Sequence, residues 1–214
     1  TRASAQKKLL FVDAWAPWCH TCLSMRDVVF SRPELASFES AYVFAAVDTD
    51  RESSAKFLER YRLRVWPTFF VIDPDTGGVL AMHGGSLSFE ETRALLASAE
   101  RARSGSEQPG QKELAAAHAA YGARRLTEAA SLYQEAASRL PDAERTPALM
   151  GAMRSLSEAS DAAACVQFGR THAEQVPGSS APSDFLYYLK DCADKLEDPA
   201  GKTAAREFVK KRLQ

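Results

Sequence analysis

The sequence predicts an α/β domain followed by an all-α domain. Three observations predict it. Strand and helix signals alternate up to about residue 103. Residues 104–110 (Ser104-Gly105-Ser106-Glu107-Gln108-Pro109-Gly110) have linker composition. Beyond them every strand signal stops, and an Ala-rich helical pattern runs to the end of the chain. The expected boundaries are 1–103, 104–110 and 111–214. A length of 214 residues suits one large or two small domains.

In the first domain Lys8 to Ala14 is a run of mainly apolar residues and reads as a buried strand. Cys19 to about Phe30 reads as a helix, interrupted by Ser31-Arg32-Pro33. Glu34 to Glu39 is a short second helix, and Tyr42 to Val47 a second strand ending at Asp48. Ser53 to Tyr61 is helical. Pro67 then opens Thr68-Phe69-Phe70-Val71-Ile72, an apolar run suited to a central strand. Asp73-Pro74-Asp75-Thr76-Gly77-Gly78 is a turn, Val79 to Met82 its hairpin partner, and Gly84-Gly85 the end of that strand. Ser88 and Glu91 form a capping box for a helix reaching about Ala102. The order is β-α-β-α-β-β-α, with parallel strands first and a hairpin last.

Composition excludes several classes. Hydrophobic residues make up 45% and charged residues 26%, with a net charge of −1. Lys and Arg are scattered without a basic stripe, so nucleic acid is not an expected partner. No apolar run approaches the ~20 residues that span a bilayer, so no membrane span is expected. Four cysteines are too few for a disulfide-stapled scaffold of this length. There is no Asn, hence no N-linked glycosylation site. The chain starts at Thr1, which fits a removed leader or a chosen boundary.

The chemistry concentrates in Trp15-Ala16-Pro17-Trp18-Cys19-His20-Thr21-Cys22. The preceding strand delivers Cys19 to a helix start, where unpaired N–H groups and the macrodipole favour a thiolate. The thiolate is the attacking species in disulfide exchange. Cys-x-x-Cys is also half of many zinc sites. No second such pair, and no His pair, lies at ligand spacing, so no metal and no cofactor are expected.

Val12-Asp13-Ala14-Trp15-Ala16-Pro17-Trp18-Cys19-His20-Thr21-Cys22, followed by Val65-Trp66-Pro67-Thr68, resembles a thioredoxin-fold domain. With Phe30-Ser31-Arg32-Pro33-Glu34-Leu35 it is similar to the C-terminal domain of bacterial thiol:disulfide interchange proteins and related extracytoplasmic proteins. The resemblance spans about residues 7 to 103. It implies that Cys19 is the exposed nucleophile and that Cys22, one turn inward, resolves the mixed disulfide. It implies that Asp13 is a buried carboxylate, raised in pKa, that takes the proton of Cys22. Pro67 matches the family's cis-proline, and Trp66 offers backbone hydrogen bonds to an extended substrate peptide. Trp18 is expected around the sulfurs and Trp15 behind the motif. Gly84, near the same end, permits a close backbone approach. His20 directly follows the nucleophile and, when charged, favours the thiolate. Two departures matter. Phe44 stands where thioredoxins often carry a buried Lys, so Asp13 is expected to lack a charge partner. The usual first strand and helix are absent or reduced.

The second domain reads as six helices. Thr146-Pro147 and Asp198-Pro199 each place a capping residue before Pro, and Ser183 is an expected N-cap. Ala129, Tyr133, Ala136 and Pro141 resemble the second helix and exit turn of a tetratricopeptide repeat. Pro177 suggests a second unit, with Cys165 and His172 at positions where Ala is usual. Ala204 and Phe208 suggest a third. His118 and His172 are read as packing or surface residues rather than ligands. Cys165 and Cys192 are read either as two small core residues or, in an oxidising compartment, as a structural disulfide.

The leading functional expectation is a thiol–disulfide oxidoreductase acting on protein thiols or disulfides, as reductant by resemblance alone. An upstream thiol partner is expected, and the helical domain recruits or orients a partner. The alternative is a redox-gated adaptor or holdase that works by protein binding. Binding of chaperone tails needs Asn in the repeat groove and is not expected. The expected location is extracytoplasmic, a bacterial periplasm.

Overall fold

The computed structural model describes residues 2–105, 108–177 and 181–213. The chain divides into two compact units, Thr1–Ser106 and Glu107–Gln214.

The first unit begins with one helical turn, α1 (Arg2–Ala5), then β1 (Leu9–Trp15). Helix α2 (His20–Met25) continues into a π-helical segment, Arg26–Phe30, and a 3-10 helix, Pro33–Ser40. Then come β2 (Tyr42–Asp48), α3 (Ala55–Arg60), β3 (Thr68–Ile72), β4 (Val79–Gly84) and α4 (Phe89–Ser104). The strands form one sheet in the order β2-β1-β3-β4, with β1 parallel to β2 and antiparallel to β3. The expected helix over 19–30 is thus an α-turn pair that widens at Arg26, where the i→i+5 pattern takes over.

Every residue of β3 is buried, as its unbroken apolar run requires for a central strand. On one face Phe11 and Phe69 stack at 5.8 Å, with the Phe30 ring edge-on to Phe69 at 5.5 Å. Met25, Val29, Leu95, Leu96 and Ala99 complete this core. On the other face α3 lays Phe57 and Tyr61 against Phe70, each at 5.8 Å. Ser88 and Glu91 close the capping box: Ser88 N–H donates to Glu91 Oε2 at 2.7 Å, and Glu91 N–H to Ser88 Oγ at 3.2 Å. Gly105, left-handed at φ 69°, ends α4. The linker expected over 104–110 starts on Ser104, the last residue of α4, and reaches the next helix at Gln111, with 106 and 107 outside the described residues.

The second unit holds α5 (Gln111–Gly122), α6 (Leu126–Arg139), α7 (Thr146–Glu158), α8 (Ala162–His172), α9 (Ala181–Asp194) and α10 (Pro199–Arg212). Helices α5, α7 and α9 begin at residues 111, 146 and 181, an even spacing. Ala129, Tyr133 and Ala136 are fully buried. Gly151 meets Tyr133 so closely that a Cβ there would lie 2.4 Å from Cε1 of the ring. Small residues therefore set how near α6 and α7 approach. His118 is a packing residue: its Nδ1 lies 2.7 Å from Tyr133 Oη, and burial pulls its pKa down to about 3.

Three local expectations are corrected. Helix α9 starts at Ala181, so Ser183 lies inside it rather than capping it. Helix α7 includes Thr146, and its N-cap is Arg145 without a side-chain cap bond. In α10 the inward residues are Ala205 and Val209, one position on from Ala204 and Phe208, and Phe208 instead lies under the Arg212 guanidinium at 3.8 Å. Asp198 does cap α10, accepting from Ala200 N–H and Gly201 N–H. Cys165 of α8 and Cys192 of α9 form a disulfide with a Cα separation of 6.1 Å, and both are fully buried. Among the described residues no helix is long and apolar enough to cross a membrane.

Candidate active site

Strand β1 ends at Trp15, and Ala16-Pro17-Trp18 turns the chain into α2. Cys19 is the N-cap of that helix, with extended backbone (φ −83°, ψ 96°). Its Sγ accepts the Cys22 N–H at 3.1 Å. That N–H is one of the donors a helix start leaves unpaired, so helix polarity is directed at this sulfur. Cys19 and Cys22 are bonded to each other, S–S 2.04 Å with Cα atoms 5.2 Å apart.

The pair is more enclosed than the sequence suggested. Cys19 is 5% exposed and Cys22 2%, so the expected exposed nucleophile is in fact covered. Ala16 packs with both sulfurs, and the rings of Trp15 and Trp66 close around them. Trp18, expected in that shell, lies outside it. It is 56% exposed, with its ring centroid 5.2 Å from that of Trp66.

Trp66 therefore links the sulfurs to the loop before β3. The Trp66–Pro67 peptide is cis. The Trp66 indole N–H donates to Thr49 Oγ1 at 2.8 Å, and that hydroxyl donates to Trp15 O at 3.1 Å. The indole is thus fixed to the end of β1. Pro67 O accepts the Gly85 N–H at 2.9 Å. Gly84 is the buried last residue of β4, paired with Thr68. The left-handed backbone that favours glycine sits one residue later, at Gly85 (φ 106°). His20 is exposed at the first position of α2.

Residues 1–100 match the family model described as a thioredoxin-like domain.

The N-terminal unit is a thioredoxin-like domain.

Solved structures similar to it include the germline-specific thioredoxin Deadhead of Drosophila melanogaster, at 28% identity over 45% of this chain and 86% of that one, TM-score 0.38. A thioredoxin from Thermus thermophilus is similar at 25% identity over 49% of this chain and 84% of that one, TM-score 0.43. No curated protein compared with the chain matches it.

Within the thioredoxin-like domain Asp13 lies in the middle of β1, in register with Ala46 on β2 and Phe69 on β3. It is 7% exposed, and its Oδ1 has no hydrogen-bond partner. Burial pushes its pKa up to about 6, and the positive charge of Arg26 pulls it the other way. The expectation that Asp13 lacks a charge partner is therefore corrected. Phe44 occupies the place anticipated for a missing Lys, but Arg26 supplies a positive charge from the helix side. Arg26 is the residue sequence reasoning missed. Its one signal was helical spacing, four residues after Cys22 and so on the same helical side.

Among the described residues no group of three or more His, Cys, Asp or Glu is placed to hold a metal ion.

Proposed function

We propose that the chain is a thiol–disulfide oxidoreductase whose Cys19–Cys22 pair exchanges with the disulfides of other proteins. One observation carries the reading. A disulfide spans the first turn of α2, under Trp66 of the cis-proline loop. That combination suits reversible exchange. The helix start stabilises Cys19 as a thiolate, which lowers the cost of breaking the bond from that side.

In the reduced protein Cys19 attacks a substrate disulfide and forms a mixed disulfide. Cys22 then attacks Cys19, and Asp13 takes the Cys22 proton. An extended substrate segment pairs with the Trp66 backbone and rests on the Trp18 and Trp66 rings, with Gly84 leaving it room; exposed His20 faces it beside the nucleophile. The chain acts as reductant, a direction supported by the resemblance alone, and an upstream thiol partner returns it to the dithiol. The helical unit, read as tetratricopeptide-like and bounded at 111–214, recruits or orients a partner. The buried Cys165–Cys192 disulfide supports an oxidising, extracytoplasmic location such as a bacterial periplasm.

The test compares wild type with Cys19→Ser in dithiothreitol-driven reduction of a model disulfide. Wild type is expected to accelerate it and Cys19→Ser to be inert. Equal rates would reject the enzyme and leave the redox-gated adaptor.

A further inference from the structure

Asp13 opens onto a cleft of about 470 Å³ on the helix side of β1 and β2. Phe11, Phe30 and Phe44 give the cleft apolar walls, and its charged residues besides Asp13 are Arg26, Arg32 and Glu39. Asp13 contributes a buried carboxyl whose Oδ1 has no partner. Such an atom is costly to ionise unless a charge or water reaches it. Arg26 is a cation held in place there. It begins the π-helical segment, and its guanidinium carbon lies 4.2 Å from the centroid of the Trp15 ring. Trp15 is itself packed against the Cys19–Cys22 cluster. Arg26 thus bridges the floor of the redox site and the cleft of the buried acid.

We propose that Arg26 is a positioning residue for the exchange reaction, acting across this cleft to keep the Asp13 carboxylate available to the Cys22 proton. The inference rests on the exchange function proposed above.

The step it governs is resolution of the mixed disulfide. The Cys22 thiol gives its proton to the Asp13 carboxylate. The Cys22 thiolate attacks Cys19 Sγ, and the Cys22–Cys19 bond forms. The bond between Cys19 and the substrate sulfur breaks. Its electron pair leaves with that sulfur, which takes a proton from water. The substrate disulfide is reduced by two electrons and the Cys19–Cys22 pair is oxidised by two. Asp13 then loses its proton to water through the cleft. The base must be ionised at the start, and a nearby positive charge favours that form.

Other groups around Asp13 are unchanged by altering Arg26. Arg32 and Glu39 line the same cleft, Cys19 and Cys22 sit on the α2 side, and His83 of β4 shares the sheet face through Phe69. The strand neighbours Ala46 and Phe69 carry no charge.

The experiment measures the rate of mixed-disulfide resolution from pH 5 to 9 for wild type, Arg26→Met and Arg26→Lys. Methionine keeps an apolar chain against Trp15 and removes the charge. The midpoint is expected to move up by about half a pH unit in Arg26→Met, a size set by solvent screening of an exposed guanidinium. Arg26→Lys is expected to restore most of the shift. A carboxyl NMR titration of Asp13 in the oxidised proteins is expected to show the same order. In wild type alone, added salt should move the midpoint in the Arg26→Met direction, which tests the idea even if a variant misfolds. An unmoved midpoint in Arg26→Met, or a salt-independent wild type, overturns the proposal. An equal shift in an Asp13→Asn background overturns it too, because the effect then bypasses Asp13. A wild type without exchange at any pH overturns the proposed function itself and not merely this residue's part in it.

Discussion

Replacing Asp13 by Asn tests whether the buried carboxyl is a functional burden on the fold. In the folded protein its pKa rises from 3.8 to about 6 because the group is buried. Each pKa unit corresponds to about 1.4 kcal/mol, so ionised Asp13 costs the folded state about 3 kcal/mol. The sign follows from proton binding. Below pH 3.8 the carboxyl is neutral in both states and costs nothing. As pH rises from there, the unfolded chain ionises first and the folded state loses ground. Above about pH 6 both states are ionised and the full penalty applies. Asparagine has nearly the same shape and never ionises. Urea unfolding at pH 4 and pH 8 reads the difference, followed by tryptophan fluorescence, since Trp15, Trp18 and Trp66 all lie in the first unit. Asp13→Asn is expected to gain up to about 3 kcal/mol over wild type at pH 8 and far less at pH 4. The same variant should resolve mixed disulfides about 100-fold more slowly, the usual scale for losing a general base. A variant less stable than wild type at pH 8, or a gap that ignores pH, would refute the reasoning.

Two further outcomes concern the helical unit. The double variant Cys165→Ala, Cys192→Ala removes a cross-link spanning a sequence separation of 27, and loop-closure entropy puts the loss at about 3.5 kcal/mol. Urea unfolding followed by far-ultraviolet circular dichroism should show that loss, and an unchanged transition would contradict a structural role for the bond. Gly151→Val forces a side chain into the Tyr133 ring, where even a Cβ would sit at 2.4 Å. Overpacking of this kind costs about 1–3 kcal/mol, so thermal melting should fall by several degrees, and a neutral result would mean that α6 and α7 are less closely set.

The strands, their order and the capping box were readable because they depend on local pattern. β3 is five apolar residues in a row, and Ser88 with Glu91 is a three-residue signature. The cysteine pair was readable because its chemistry needs fixed spacing. What escaped the sequence depends on packing across distance. Arg26 and Asp13 line one cleft although they lie on different elements, a placement that no local pattern shows. The Cys165–Cys192 bond was one of two readings the sequence left open, and the Cα separation that decides between them is not visible in residue spacing. Trp18 was expected around the sulfurs but is exposed, and Trp66 packs there with Trp15. The Trp66 indole is held by its bond to Thr49, a contact between distant segments that local pattern does not show. In α10 the inward face was misplaced by one residue. Ala204 and Ala205 are adjacent small residues, and packing buries Ala205.

Covalent capture through Cys19 is the most direct test. The Cys22→Ser variant, mixed with a protein that carries an accessible disulfide, should yield one mixed disulfide by intact mass. Peptide mapping should place it on Cys19, and dithiothreitol should release it. Cys19→Ser, with Cys22 alone, should give none. Adduct on Cys22 instead, or no adduct on either variant, would contradict the account.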